Sequence, residues 1–150
     1  MKALIIYDSV YGNTEKIAKA IGDVLANDVK VLRVSEVNSS QLEPVDLLII
    51  GSPTQGGRPT KAMQTLLKDL PESVVKSASV ATFDTRLQSK FASIFGYAAG
   101  KIASRLKDKG GNLISSPEGF LVSGNKGPLK EGELERAAGW AKEILKNKKV

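Results

Sequence analysis

Between residues 8 and 14 the chain reads Asp8-Ser9-Val10-Tyr11-Gly12-Asn13-Thr14, a set of residue types able to hold an anion without a counter-charge. Ser9, Asn13 and Thr14 bring side-chain donors, and Gly12 lets the backbone curl so that several N–H groups converge. The segment then enters a helical stripe, so the free amides and positive dipole end of a helix N-terminus face the same point, as phosphate sites require. Asp8 and Glu15 flank the loop and no Lys or Arg lies within it, so neutral donors would do the holding. Ser, Asn and Thr ahead of a helix are also ordinary N-caps, and Gly is an ordinary turn residue; spacing alone does not separate the two roles.

Other chemistries fail on specific residues. No Lys follows Gly12 where a Walker phosphate loop needs one, and its single glycine cannot make a dinucleotide fingerprint. A receiver domain requires a carboxylate after its third strand, where this chain has Gly51, and a small tyrosine phosphatase requires a cysteine in the first loop. The chain contains no cysteine and no histidine, which removes disulfides, thiolate catalysis, iron–sulfur clusters and the commonest general base. Redox chemistry would have to come from a bound cofactor.

The elements that must position these groups follow from periodicity. Residues 4–7 and 47–51 are short unbroken apolar runs, the mark of interior strands covered on both faces. Ile17, Ala18, Ile21, Val24 and Leu25 give the first helix its apolar face; residues 29–34 read as the second strand, and a short helix around Ser40 is weakly signalled. Met63, Leu66, Leu67 and Leu70 form a helix stopped at Pro71, with Pro59 expected at or beside a helix start. Residues 79–83 are a fourth strand of small side chains. Phe91, Ile94, Phe95, Ala98, Ile102 and Leu106 recur at helical spacing, and a fifth strand over 112–115 resumes at 119–122 after a break at Ser116-Pro117. Leu134, Ala138, Ala141 and Leu145 give a last helix its apolar face, with Trp140 helping to dock it. At 150 residues the chain suits one domain, 1–150. Its first apolar run is too short for a signal segment and no run is long enough to span a bilayer, so a cytoplasmic protein with no membrane association is expected.

Ser9-Val10-Tyr11-Gly12-Asn13-Thr14 resembles the flavin mononucleotide (FMN) phosphate loop of the flavodoxin family, S/T-x-T-G-x-T in its usual form, with Tyr11 where a threonine is common. The wider Tyr-Asp-Ser-Val-Tyr-Gly-Asn-Thr-Glu-Lys-Ile-Ala is similar to the flavodoxin domains of diiron flavoproteins. The resemblance covers essentially the whole chain. It implies a three-layer, doubly wound α/β sandwich whose five-stranded parallel sheet has the order 2-1-3-4-5. Flavodoxins are themselves the standard example of a ligand crevice opening between strands one and three of such a sheet.

The resemblance further implies FMN as cofactor and electron transfer as function, with no catalytic residue and no metal. Ser9, Val10, Tyr11, Gly12, Asn13 and Thr14 would surround the phosphate, and Ser52, Pro53 and Thr54 would line the ribityl chain. Gln55, Gly56, Gly57 and Arg58 would lie against the ring, where paired glycines allow close approach of backbone. Asp84, Thr85 and Arg86, followed by Leu87-Gln88-Ser89-Lys90, stand for the second ring-binding loop. The family commonly stacks a tyrosine or tryptophan there. The aromatics within reach are Phe83, Phe91, Phe95 and Tyr97, and helical spacing assigns Phe91 and Phe95 to the core.

Charge departs from the family too. The chain carries a formal +6, whereas most flavodoxins are acidic; residues 76–150 hold 14 Lys and Arg against 7 acids. Such a field would steer acidic redox partner proteins or anionic substrates rather than basic partners, and nucleic acid is not expected because no aromatic-and-basic recognition motif interleaves the lysines. Lys107 and Lys109 suit a helix C-terminus, and Lys146, Lys148 and Lys149 a solvated tail. Arg58 and Arg86, where flavodoxins more often place acidic or aromatic residues, are expected to ease the last reduction step of a bound flavin. Two functions are compatible with all this: an FMN electron carrier between proteins, or an FMN-dependent NAD(P)H:quinone or small-molecule oxidoreductase.

Thr14 is expected to present both hydroxyl and amide to the phosphate. A hydrogen bond to a charged group is worth about 1.5–3 kcal/mol, so Thr14→Ala should weaken FMN roughly tenfold to a hundredfold while sparing riboflavin, which lacks the phosphate. Flavin fluorescence titrations with both ligands test this, and equal losses for the two would make Thr14 a structural cap.

Overall fold

Side chains alternate along a strand, so a run such as Leu47-Leu48-Ile49-Ile50 is buried throughout only if helices cover both faces of its sheet. The computed structural model has that arrangement; it describes every residue apart from Asn27, Ser39, Gln41, residues 89–93, Phe95 and Val150. In chain order the elements are β1 (Ala3–Tyr7), α1 (Asn13–Leu25), β2 (Val29–Arg33), a 3₁₀ turn (Val34–Glu36), β3 (Leu47–Pro53), α2 (Lys61–Asp69) and α3 (Glu72–Lys76). There follow β4 (Ser79–Arg86), α4 (Ala98–Asp108), β5 (Asn112–Leu113), β6 (Glu118–Leu121) and α5 (Glu133–Lys149).

All the strand pairings are parallel, in the order β2-β1-β3-β4. The fifth place is filled by two segments in tandem, β5 beside Ser79 and Val80 and β6 beside Phe83 to Arg86. The expected 2-1-3-4-5 order therefore holds, and the break at Ser116-Pro117 separates the two halves of its last strand. Ile5, Tyr7, Ile49 and Phe83 face α1 and α5 on one side. Leu4, Ile6, Leu48, Ile50 and Val80 face α2, α3 and α4 on the other. No helix among the described residues is long and apolar enough to cross a membrane.

Several expectations shift in detail. β3 and β4 run on to Pro53 and Arg86, carrying the first residues of both expected loops into the sheet. α2 is capped by Thr60, whose Oγ1 accepts the Met63 N–H, so Pro59 lies ahead of the cap rather than in the helix. α3 has five residues, too few to show periodicity in the sequence. Among the described residues the expected stripe is interrupted: α4 starts at Ala98, Gly96 before it has φ +79°, and Ile94 is 75% exposed. The assignments of Phe91 and Phe95 to the core and of Ser89 and Lys90 to a ring loop lie outside the described residues; of the short helix expected around Ser40, Ser39 and Gln41 lie outside them too, and residues 37–38 and 42–45 are not helical. α5 buries Ala137, Trp140, Ala141 and Ile144 and leaves Leu134 exposed. Its rotation is set by Trp140, which forms edge-to-face pairs with Phe83 and Phe120 at centroid distances of 6.1 and 6.0 Å. Lys109 and Lys148 are not simply solvated: Lys109 Nζ donates to the carbonyls of Lys68 and Leu70, and Lys148 Nζ to Ser79 Oγ.

Gly51 is the backbone position on which this packing turns. It pairs in register with Phe83, and a Cβ added there would lie 2.1 Å from the Phe83 ring, which is fully buried against Phe120 and Trp140. Gly51→Ala should destabilise the protein at or above the upper end of the roughly 1–3 kcal/mol typical of overpacking. Urea unfolding checks this, and Phe83→Leu in the Gly51→Ala background should cost less than the two single changes together.

Candidate functional site

The carboxyl ends of β1, β3 and β4 cannot complete a sheet ladder, so their loops must satisfy the backbone groups left over. Asp8 N–H donates to the Gly51 carbonyl, tying the loop after β1 to β3. Thr60 Oγ1 donates to Asp8 Oδ2, and Ser52 Oγ accepts the Thr60 N–H while donating to the Pro53 carbonyl. Thr54 N–H donates to the Thr85 carbonyl, and Thr14 and Thr85 join hydroxyl to hydroxyl at 2.7 Å. These links bring the three loops around a crevice of about 840 Å³.

Most residues singled out in the sequence line this crevice. Ser9, Val10, Tyr11, Asn13 and Thr14 come from the first loop, and Pro53, Thr54, Gln55, Gly56, Gly57 and Arg58 from the second. Thr85 and Arg86 come from the end of β4. Gly12, Ser52 and Asp84 do not line it. Gly12 makes the turn into α1 at φ +94°, Ser52 braces the second loop, and Asp84 is fully buried beneath the floor. Leu87, expected in the second ring-binding loop, lines the crevice too, and so do Tyr97, Gly96, Val122 and Asn125, the last three without a signal in the sequence. Tyr97 was weighed only as an aromatic within reach; the glycine immediately before it was the signal that a helix could not run through it.

In the first loop, Ser9 Oγ accepts the N–H groups of Gly12 and Glu15 at 3.0 and 3.4 Å. The N–H groups of Val10, Tyr11, Asn13 and Thr14 go to no protein acceptor among the described residues. The first amides of any helix lack intrahelical acceptors; here those of Val10 and Tyr11 join them beside the turn at Gly12, a donor set that fits a phosphate. The Thr14 hydroxyl bonds across to Thr85 rather than standing free. One hydroxyl donates once and accepts twice, so that bond leaves it capacity for a ligand oxygen. Its loss would disturb the crevice floor as well, the structural outcome that the riboflavin comparison separates.

The loop holds no cation, but one supports it from behind. Arg33, at the end of β2, is set beside Tyr7 by the β1–β2 register. Its Nη1 donates to the Ser9 carbonyl at 2.7 Å and its Nη2 to Glu15 at 3.1 Å, with Asp8 3.9 Å away. Arg33 does not line the crevice; it fixes the Ser9 peptide that carries the Val10 N–H. Tyr7 completes the brace, its hydroxyl donating to Glu15 Oε2 at 2.6 Å. Burial, together with this bond to a carboxylate, pushes the Tyr7 phenol up to about 12. The same bond, with the neighbouring Lys19 and Arg33, holds the Glu15 carboxyl below its usual range.

The second loop is a tight hairpin. Gln55 and Arg58 exchange backbone hydrogen bonds at 2.8 and 3.0 Å, with Gly56 and Gly57 between them at φ +57° and +78°. Two successive positive φ values favour glycine, and Gly56 has open space where a Cβ would be, so bare backbone faces the crevice. Across from it the expected effect of Arg86 is corrected. Its Nε and Nη2 bond both oxygens of Asp84 at 2.7 and 2.8 Å, and its guanidinium lies 3.4 Å from the centroid of the Tyr97 ring. The pair is neutral overall, so among the described residues that line the crevice Arg58 is the cation without a carboxylate partner.

Fold and crevice together define a doubly wound mononucleotide-binding protein. A family model described as flavodoxin matches residues 5–140, and the chain belongs to the flavodoxin family, whose members bind FMN. It is similar to an uncharacterized protein of Methanocaldococcus jannaschii, 29% identical over 98% of this chain and all of that one. It is also similar to a flavodoxin of Nostoc sp., 29% identical over 87% of this chain and 78% of the relative. Among solved structures, a flavodoxin from the domain Archaea superposes over the whole of both chains with a TM-score of 0.82 at 22% identity.

The Tyr7–Glu15 bond generates a pH prediction. The folded phenol titrates above the ordinary value of 10.0, so the stability it contributes is complete below pH 10 and is lost as pH rises toward about 12. Absorbance titration of the tyrosines should show a phase that runs on toward about pH 12. Tyr7→Phe should abolish that late phase and flatten the loss of stability over the same interval.

Proposed function

We propose that the chain binds FMN in the crevice and carries electrons between redox partner proteins, as a single domain spanning residues 1–150 and located in the cytoplasm. The observation that supports this best is the set of four backbone donors at the start of α1, held open by Gly12 and backed by Arg33. Flavin-dependent electron transfer is the general function of the family to which the chain belongs. When bound, FMN would supply the one- and two-electron chemistry that the side chains of this protein lack.

The residues divide the remaining work. Ser9, Asn13 and Thr14 complete the phosphate cradle begun by the backbone. Thr54 and Thr85 furnish polar groups on the crevice wall, and the Gln55–Arg58 hairpin offers flat backbone to a flat ring. Tyr11, half exposed, and Tyr97, covered on one face by Arg86, are the aromatic surfaces that line the crevice. Together they offset the missing aromatic of the second loop. Arg58, exposed and in no ion pair among the described residues, makes the rim attractive to acidic partner proteins.

Fluorescence titration of the apoprotein should show saturable quenching by FMN and markedly weaker binding of FAD, because the cradle closes on a single terminal phosphate. FAD binding as tight as FMN would overturn the assignment. The FMN-loaded protein should oxidise NADH and NADPH slowly with a panel of quinones; turnover at rates typical of enzymes, about 1–10³ per second, would favour the oxidoreductase alternative.

A further inference from the structure

Beside the crevice, between α2 and α4, lies a separate groove of about 490 Å³ whose charge is of one sign. Arg58 enters it from the hairpin, and Lys101 and Arg105 from α4, one helical turn apart and so on one face. Gln64 and Ser104 add polar groups, Leu67 is buried beneath, and no acidic residue lines it. None of the three cations makes an ion pair or a side-chain hydrogen bond among the described residues. That distinguishes them from Arg33, Arg86 and Arg136, each held by carboxylates.

Like charges converging without a counter-ion repel one another, and a solvated helix face does not require them to converge. Arg105 alone could be credited to the negative end of the α4 dipole. Lys101 lies in the first turn of the helix, at the end where the dipole disfavours a cation, and is half buried. Arg58 belongs to no helix and lines both cavities. The groove is concave and of a size suited to a small ligand rather than to a flat protein surface.

We propose that this groove is a second anion site, taking the phosphate or diphosphate of a small molecule whose remainder can extend past Arg58 toward the crevice. Arg58 and Arg105 offer planar forks to phosphate oxygens, Lys101 a point charge, and Ser104 a hydroxyl. The site stands on its own residues and does not depend on which electron donor or acceptor the protein serves.

Isothermal titration of the FMN-saturated protein with pyrophosphate at low ionic strength tests this. One equivalent should bind saturably, more weakly as KCl is added. The double variant Lys101→Gln/Arg105→Gln should lose at least about tenfold in pyrophosphate affinity while keeping its FMN affinity and circular dichroism spectrum. Lys142→Gln, on the exposed side of α5, should leave pyrophosphate binding unchanged. Unaltered affinity in the double variant would place the anion elsewhere and overturn the proposal. Absence of saturable binding would do the same, as would tighter binding of a short polyglutamate peptide than of pyrophosphate, which would mark a docking surface for acidic proteins.

Discussion

A carboxylate with no contact with solvent governs the geometry of the crevice. Asp84 is fully buried at the end of β4, and removing such a charge from water costs several kcal/mol unless donors surround it. It finds them in Arg86 Nε and Nη2 and in the Ala99 N–H at 2.9 Å. The last of these uses one of the amides that a helix start leaves unpaired, and Thr54 Oγ1 takes the next one, from Ala98. One buried charge thus fixes where α4 begins, how Arg86 lies and which way the Gly96-Tyr97 lead-in enters the site.

What could be read from the sequence was what local pattern encodes. The first loop was legible because an apolar run, a glycine followed by the small polar Asn13 and Thr14, and a helical stripe follow each other within about twenty residues. The second was legible as a glycine-rich connection but not as a hairpin, since the Gln55–Arg58 pairing depends on two successive positive φ angles. Arg33 was read only as part of a strand, because its role arises from β2 lying beside β1, an adjacency no local pattern contains. Asp84 and Arg86 read as a polar loop, whereas they are a strand end whose charges cancel. At Tyr97 a plausible periodicity running through Phe91 and Ile94 concealed a helix start.

The count of basic residues likewise overstates the field that the protein presents. Arg136 bonds Glu118 and Glu133 and donates to the Gly119 carbonyl, joining α5 to β6, while its guanidinium covers the Phe120 ring. This contact holds the Glu133 carboxyl below its usual range. Arg33, Arg86, Lys109 and Lys148 are also occupied by structural partners. Among the described residues, Arg58, Lys101 and Arg105 on the side of α2 and α4 are in no ion pair, so part of the basic character that reaches an approaching molecule lies there.

The links that close the crevice also bear on how it responds to charge. Asp8 is bonded to Gly51 and Thr60, Thr14 to Thr85, and Thr85 to Thr54, so each strand end is tied to its neighbour through short polar contacts. Dipoles held in this way cannot turn far when an electron enters or leaves the space between them. Part of the polarisation that freely moving solvent would otherwise have to rebuild around a changed charge is therefore already set in the walls of the crevice.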